Sequence, residues 1–227
     1  ITSKASSLST TTEPAPAFSA WTEPDALSGS RSASSARMRS SAAASAATRP
    51  ENVWITVTHT FSAPHIMPDA ALKTDEERAR KKTLQTLLQE AVASAAADAK
   101  EKMISAELTV HQGESRVVRS RDIELPEGWW IGCGGTGPSD PTLTVLRFRE
   151  AGKDRALILH LNVQSSVLDG TGAAEGKCVS SDLAGLACAE LEANHPGMTA
   201  LFLIGAAGDQ APVEKGNGYM PDGRGGW

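Results

Sequence analysis

Asn52 to His65 reads NVWITVTHTFSAPH and holds the side chains best placed to do chemistry. Val53, Trp54, Ile55, Val57 and Thr58 are β-branched or aromatic, so the run predicts a buried strand that ends at His59. Ser62, Ala63 and Pro64 then open a loop, which sets His59 and His65 on the rim where α/β sheets keep their ligand crevices. An imidazole there suits a metal ligand or an acid–base group, and equally an ordinary packed histidine. Trp129 and Trp130, flanked by Gly128 and Gly132, cannot both face one core from an extended chain. One of them is a candidate wall for an apolar or ring-shaped ligand, against the plainer reading of a core-edge plug and a loop cover. Gly205-Ala206-Ala207-Gly208-Asp209 is a bend in which Gly208 can bring backbone N–H groups close to a ligand.

The elements that must position these residues are legible in part. Residues 1–49 are rich in Ser and Ala and show no period of 2 or 3.6, so they read as a disordered segment. Thr74 to Glu77 form a capping box that starts a helix ending near Lys102, with Leu84, Leu87, Leu88, Ala91, Ala95 and Ala99 as the stripe facing a core. The basic cluster Arg78, Arg80, Lys81 and Lys82 is its solvated side. Ile104 to Val110 alternates as a strand, and a further strand begins between Ser115 and Val118. Thr142–Arg149 and Ala156–Val163 form a hairpin around Ala151-Gly152. On its second strand His160, Asn162 and Gln164 share one face, which is either wet or a site. Asp182 to Ala193 is a helix capped by Ser180 or Ser181, and Met198 to Ile204 is an apolar strand fit for the centre of a sheet. Together they predict an α/β domain: a mixed β-sheet with helices packed on it, a single domain over 50–213, and a Gly-rich, truncated tail over 214–227.

Composition narrows the partners. At 227 residues the chain can bury one sizeable core. A net charge of −5 with both signs interspersed offers no footprint for nucleic acid. No apolar run approaches the ~20 residues of a transmembrane segment. Cys133, Cys178 and Cys188 are odd in number and lack metal-type spacing, so they read as reduced thiols and point toward a cytoplasmic setting.

Several short stretches, in order, resemble the neutral/alkaline (non-lysosomal) ceramidase family. Thr58-His59-Thr60-Phe61-Ser62-Ala63-Pro64 is similar to its THTHSGP signature. Val163-Gln164-Ser165-Ser166 and Val179 to Gly185 resemble its VHGTS and ISGDxxG pair, and Gly208-Asp209-Gln210-Ala211-Pro212 resembles its GDVSP. Ser120-Arg121-Asp122 lies near its NRS, and Asp140 to Leu146 near its DxxLTVL strand. The likeness covers residues 50–213 and marks the chain as a divergent fragment of the family's N-terminal domain. It implies a zinc-dependent hydrolase acting on an amide or ester of a small-molecule or lipid-like substrate, with His59 and the residue at position 164 as metal ligands. The departures are specific: Phe61 replaces the second histidine, Gln164 replaces the VHGTS histidine, and Ala211 replaces the serine. Tyr219 falls too soon after Pro212 to stand for the family's tyrosine ligand.

Two readings follow. In the first, a divergent zinc hydrolase rebuilds its site from His59, Gln164 and His160 as metal ligands, with Asp209 and Arg121 as catalytic groups. His65, Trp129, Trp130 and Gly208 then contact substrate. Arg121 would hold an anionic or carbonyl group there, where a structural salt bridge is the alternative. In the second, the scaffold persists as a non-catalytic domain that binds a ligand or partner. The hydrolase reading requires the loops 59–65, 164–172 and 205–212 to converge, with the side chains of His59, Gln164 and Asp209 in one cleft.

Overall fold

The computed structural model describes residues 33–64, 66–132, 137–168 and 179–214, with the side chains of residues 33 and 34 excepted. Among them are three α-helices, α1 (Ala33–Ser45), α2 (Asp75–Glu101) and α3 (Asp182–Asn194). The strands are β1 (Glu107–Glu114), β2 (Val118–Ser120), β3 (Asp122–Leu125), β4 (Gly128–Ile131), β5 (Thr142–Glu150), β6 (Lys153–Leu161), β7 (Thr199–Ile204) and β8 (Gln210–Pro212). They build a single α/β domain around a mixed sheet of order β1-β5-β6-β7, with two-stranded pairs β2-β8 and β3-β4 beside it.

Local chemistry sets the hairpin. Ala151 and Gly152 take φ of 47° and 78°, the two positive values that a two-residue type I′ turn needs, and glycine adopts them without a Cβ penalty. Glu150 then faces Lys153 and the strands run antiparallel, with one register shift at Phe148/Arg149. Arg147 clamps Asp154 with two hydrogen bonds of 2.7 and 2.8 Å across the hairpin. β1 adds antiparallel to the other side of β5, beginning three residues later than its alternation alone indicates.

From β6 the chain returns through α3 to β7, which pairs parallel to β6 in a β-α-β unit. Val118, Leu161, Val163, Ala184 and Phe202 form the buried core, with Leu159, Leu183, Ala187 and Ile204 packed around it. Gly185 is required here, because a Cβ at this position would strike the Ser181 side chain across the first turn of α3. Cys188 sits against the same core, and burial, then the charge of Glu192, push its thiol up, so it behaves as a packing group.

Four expectations change. Residues 53–58 form no strand: Trp54 is 92% exposed and no neighbouring strand pairs with them. β-propensity reports fit to a pleated surface, and without a partner strand it has nothing to fit. The apolar β7 lies at an edge of the sheet, not its centre. Within the Ser/Ala-rich N-terminal stretch, Ala33–Ser45 is helical and packs on α2, burying Ala42 and Ala43, since small residues allow close helix approach without any apolar period. Finally, the capping box of Thr74 and Glu77 forms as expected, but Gln85, Gln89, Val92 and Ala96 are half-buried, Gln85 and Gln89 lying beside Arg37 and Met38 of α1. The Leu87 and Leu88 stripe points outward.

These placements make a paired prediction. Leu161→Ala, which hollows the core, lowers unfolding free energy by about 2–5 kcal/mol. Trp54→Ala changes it by less than about 0.5 kcal/mol, because an exposed ring leaves no cavity. Urea denaturation of both variants checks the contrast; a large loss from Trp54→Ala would contradict the exposed placement.

Candidate functional site

The chain beyond β6 turns into a polar junction. Asn162, Gln164, Ser165 and Ser166 are all buried; the first three find side-chain partners off the strand, while Ser166 Oγ has none among the described residues. Asn162 donates to Asp140 Oδ2 at 2.9 Å and accepts the Ala206 N–H at 2.8 Å, pinning the start of the β7–β8 bend. A Cβ on Gly205 would collide with the Asn162 amide and lie 2.6 Å from His160 Nε2, so glycine is the residue this close approach admits. His160 and Asn162 thus turn toward Gly205 and Asp140.

Gln164 reaches elsewhere. Its Nε2 donates to the carbonyls of Ala207 at 2.7 Å and Gly208 at 3.2 Å, and its Oε1 accepts Arg121 Nη1 at 2.7 Å. The Arg121 N–H donates to the Asp209 carbonyl at 2.8 Å, extending the β2-β8 ladder by one residue, while the Arg121 carbonyl accepts Gly132 N–H at 2.7 Å. Arg121 is half-buried and forms no ion pair with a described acidic residue.

The third segment is held by backbone. Phe61 N–H donates to Ser165 O at 3.4 Å, Ser180 N–H donates to Ser62 O at 2.8 Å, and Thr60 Oγ1 donates to Ser180 O at 2.9 Å. The 60–62 loop, the 164–166 turn and the 207–210 bend therefore meet. His59 itself is exposed, takes φ of +52°, and sets its ring 5.3 Å from that of Phe61. Histidine tolerates this left-handed region better than bulky branched residues do. The Asp209 side chain is exposed, and only its carbonyl joins the junction. Trp129 and Trp130 lie on opposite faces of the β3-β4 ribbon and are both exposed, so neither plugs the core. Gly132 ties the base of that ribbon to Arg121. His65, Cys133, Cys178, Tyr219 and residues 169–172 lie outside the described residues.

Sequence reasoning overlooked Asp182 and Ser165. Asp182 is fully buried at φ +51°, and its carboxylate accepts the N–H groups of Val167 (3.0 Å), Leu168 (3.0 Å) and Leu183 (2.5 Å). Ser165 Oγ accepts the Ala184 N–H at 3.0 Å. Together they satisfy orphan donors of the first turn of α3 and fix the 165–168 turn to it. The usable signal was an Asp immediately before an apolar helical run, a helix-start pattern.

Zinc needs unengaged electron pairs that converge. Gln164 Oε1 already accepts a guanidinium, a cation that repels another cation at the same oxygen. Among the described residues no three His, Cys, Asp or Glu side chains are grouped to hold a metal ion, so His59, His160 and Asp209 make no such set.

No family model matches the chain, and no curated protein matches it. Among solved structures it is similar to the crystal structure of neutral ceramidase from Pseudomonas aeruginosa, at 19% identity and a TM-score of 0.46. The likeness covers 62% of this chain, which spans about a quarter (23%) of the length of that one.

Two outcomes follow. Asp182→Ala strands three N–H groups and lowers stability by about 3 kcal/mol or more, whereas Asp209→Asn leaves it unchanged within about 0.5 kcal/mol; guanidinium denaturation separates them. Hydrogen bonds from Thr142 first, then the nearby charge of His160 and the Asn162 amide, hold the Asp140 carboxyl below its ordinary range. Its stabilisation is therefore present above the unfolded carboxylate pKa and is lost as pH falls through the lower folded value. Asp140→Asn should flatten the acid limb of stability against pH; an unchanged limb would show that the carboxylate holds nothing.

Proposed function

We propose that this chain keeps a hydrolase-like scaffold resembling the neutral ceramidase family and uses its polar junction to hold the anionic or carbonyl end of a small ligand against Arg121. Turnover through zinc is not part of this reading. One observation carries it: the Arg121 guanidinium is held by Gln164, whose own amide is anchored on the carbonyls of Ala207 and Gly208. A guanidinium fixed through one nitrogen keeps further N–H donors in a planar fork, the shape that receives two carboxylate oxygens or a carbonyl. Half-burial lowers the local dielectric and strengthens that contact relative to the surface.

The replacements inside the family-like motifs support the same direction. Gln164 supplies a neutral amide where the resemblance would place imidazole, and Ala211 supplies no hydroxyl. Both remove groups that amide hydrolysis would use and leave a group that binds. Trp129, on the ribbon rooted at Arg121, would serve as an apolar wall for the rest of the ligand, with Gly208 as backbone lining.

The metal-dependent reading, with His59, Gln164 and His160 on zinc, Asp209 and Arg121 catalytic and His65 against substrate, makes a different forecast. Purified protein is assayed for zinc and for hydrolysis of chromogenic amides and esters. Its thermal unfolding is then followed with added acetate, benzoate and octanoate. Our reading expects substoichiometric zinc, no turnover, and a carboxylate-dependent rise in Tm that Arg121→Ala abolishes. One zinc per chain with chelator-sensitive amide hydrolysis would overturn it in favour of the enzyme.

A further inference from the structure

Among the described residues the sheet has two faces and one layer of helix. The core residues Leu159, Leu161, Phe202 and Ile204 share the front face, against α3. The strand registers place Leu108, Val110, Leu146, Phe148, Ile158 and Leu201 together on the opposite, rear face. Every second residue there, from Leu108 to Gln112, Thr144 to Phe148, Ala156 to His160 and Thr199 to Leu203, is something other than Asp, Glu, Lys or Arg. A sheet face that meets water is normally polar, and this one is the apolar kind that another layer covers. Yet Leu108, Val110 and Leu201 are exposed.

The same chain carries an uncovered surface of the complementary kind. α2 packs on α1 and makes no extensive contact with the sheet among the described residues. Among the described residues no other element covers most of its apolar stripe from Leu84 to Ala99, and Leu87 and Leu88 are exposed. A groove of about 800 Å³ continues the stripe at its N-terminal end, its apolar side made by Met67, Leu72, Leu84 and Leu87 and its rim by Glu76 and Arg80 among other charged residues. At ~1.5 Å per residue the stripe runs ~23 Å, and four strands ~4.8 Å apart present a face of comparable width.

We infer that a second copy of this chain completes the layer: the α2 stripe of each protomer lies across the rear sheet face of its partner in a two-fold dimer. Each copy holds both halves of a helix-on-sheet contact, so one symmetric pairing covers all the exposed surfaces at once. With a helix ~10 Å wide, the reciprocal contacts hide roughly 1,000 Å² of footprint in total, the size at which an interface becomes specific.

The test uses the full chain in light scattering after gel filtration, over a range of concentrations. The expected mass is twice the 23.7 kDa of the chain. Val110→Glu on the sheet face and Leu88→Glu on the helix stripe sit at exposed positions, so each keeps the native circular dichroism while weakening the dimer at least tenfold. Mixing the two variants restores part of the dimer, because one intact helix-on-sheet contact re-forms between the unaltered helix of one and the unaltered sheet of the other. A monomer at every concentration, which would mean that α2 closes over its own sheet or that the faces stay bare, overturns the proposal. So does a dimer that neither substitution weakens, or that mixing leaves unrestored.

Discussion

The amide of Gln164 is the contact on which the junction depends. A single side chain donates to the β7–β8 bend through Ala207 and Gly208 and accepts from Arg121 beside β2, while leaving the end of β6. A neutral amide can do this because it is donor and acceptor at once, and a buried group with both ends satisfied costs little to desolvate. Imidazole has one nitrogen of each kind and could not hold two carbonyls and a guanidinium from the same place.

Around that contact the polar burial is consistent. Asp182 and Ser165 turn the open end of α3 into a closed set of hydrogen bonds, and Asn162 does the same for the bend after β7. Each of these residues lies at or near the end of a regular element, where backbone groups lack ladder partners. Arg121 lies half-buried beside this junction, with one guanidinium nitrogen held by Gln164.

What the residues disclosed in advance divides along physical lines. The hairpin at Ala151-Gly152 and the capping box at Thr74 and Glu77 depend on a few neighbouring dihedrals and bonds, so the local sequence specifies them. Of the expected convergence of loops 59–65, 164–172 and 205–212, hydrogen bonds join residues 60–62, 164–166 and 207–210, whereas the side chains of His59 and Asp209 stay exposed. Val53 to Thr58 misled because a strand exists only with a partner, and the partner is not encoded in the segment itself. The edge position of β7 and the outward stripe of α2 are long-range outcomes that periodicity cannot orient. Gln164 looked like a depleted ligand because its family-like motif was visible, while its partner Arg121, 43 residues away, was not.

The most direct measurement is a double-mutant cycle in equilibrium unfolding built from Arg121→Ala, Gln164→Ala and the pair. If Gln164 positions Arg121 through a charge-assisted hydrogen bond, the cycle gives a coupling of about 1–2 kcal/mol. Effects that add to within about 0.3–0.5 kcal/mol would mean that the two side chains act independently, and would contradict the junction on which this account rests.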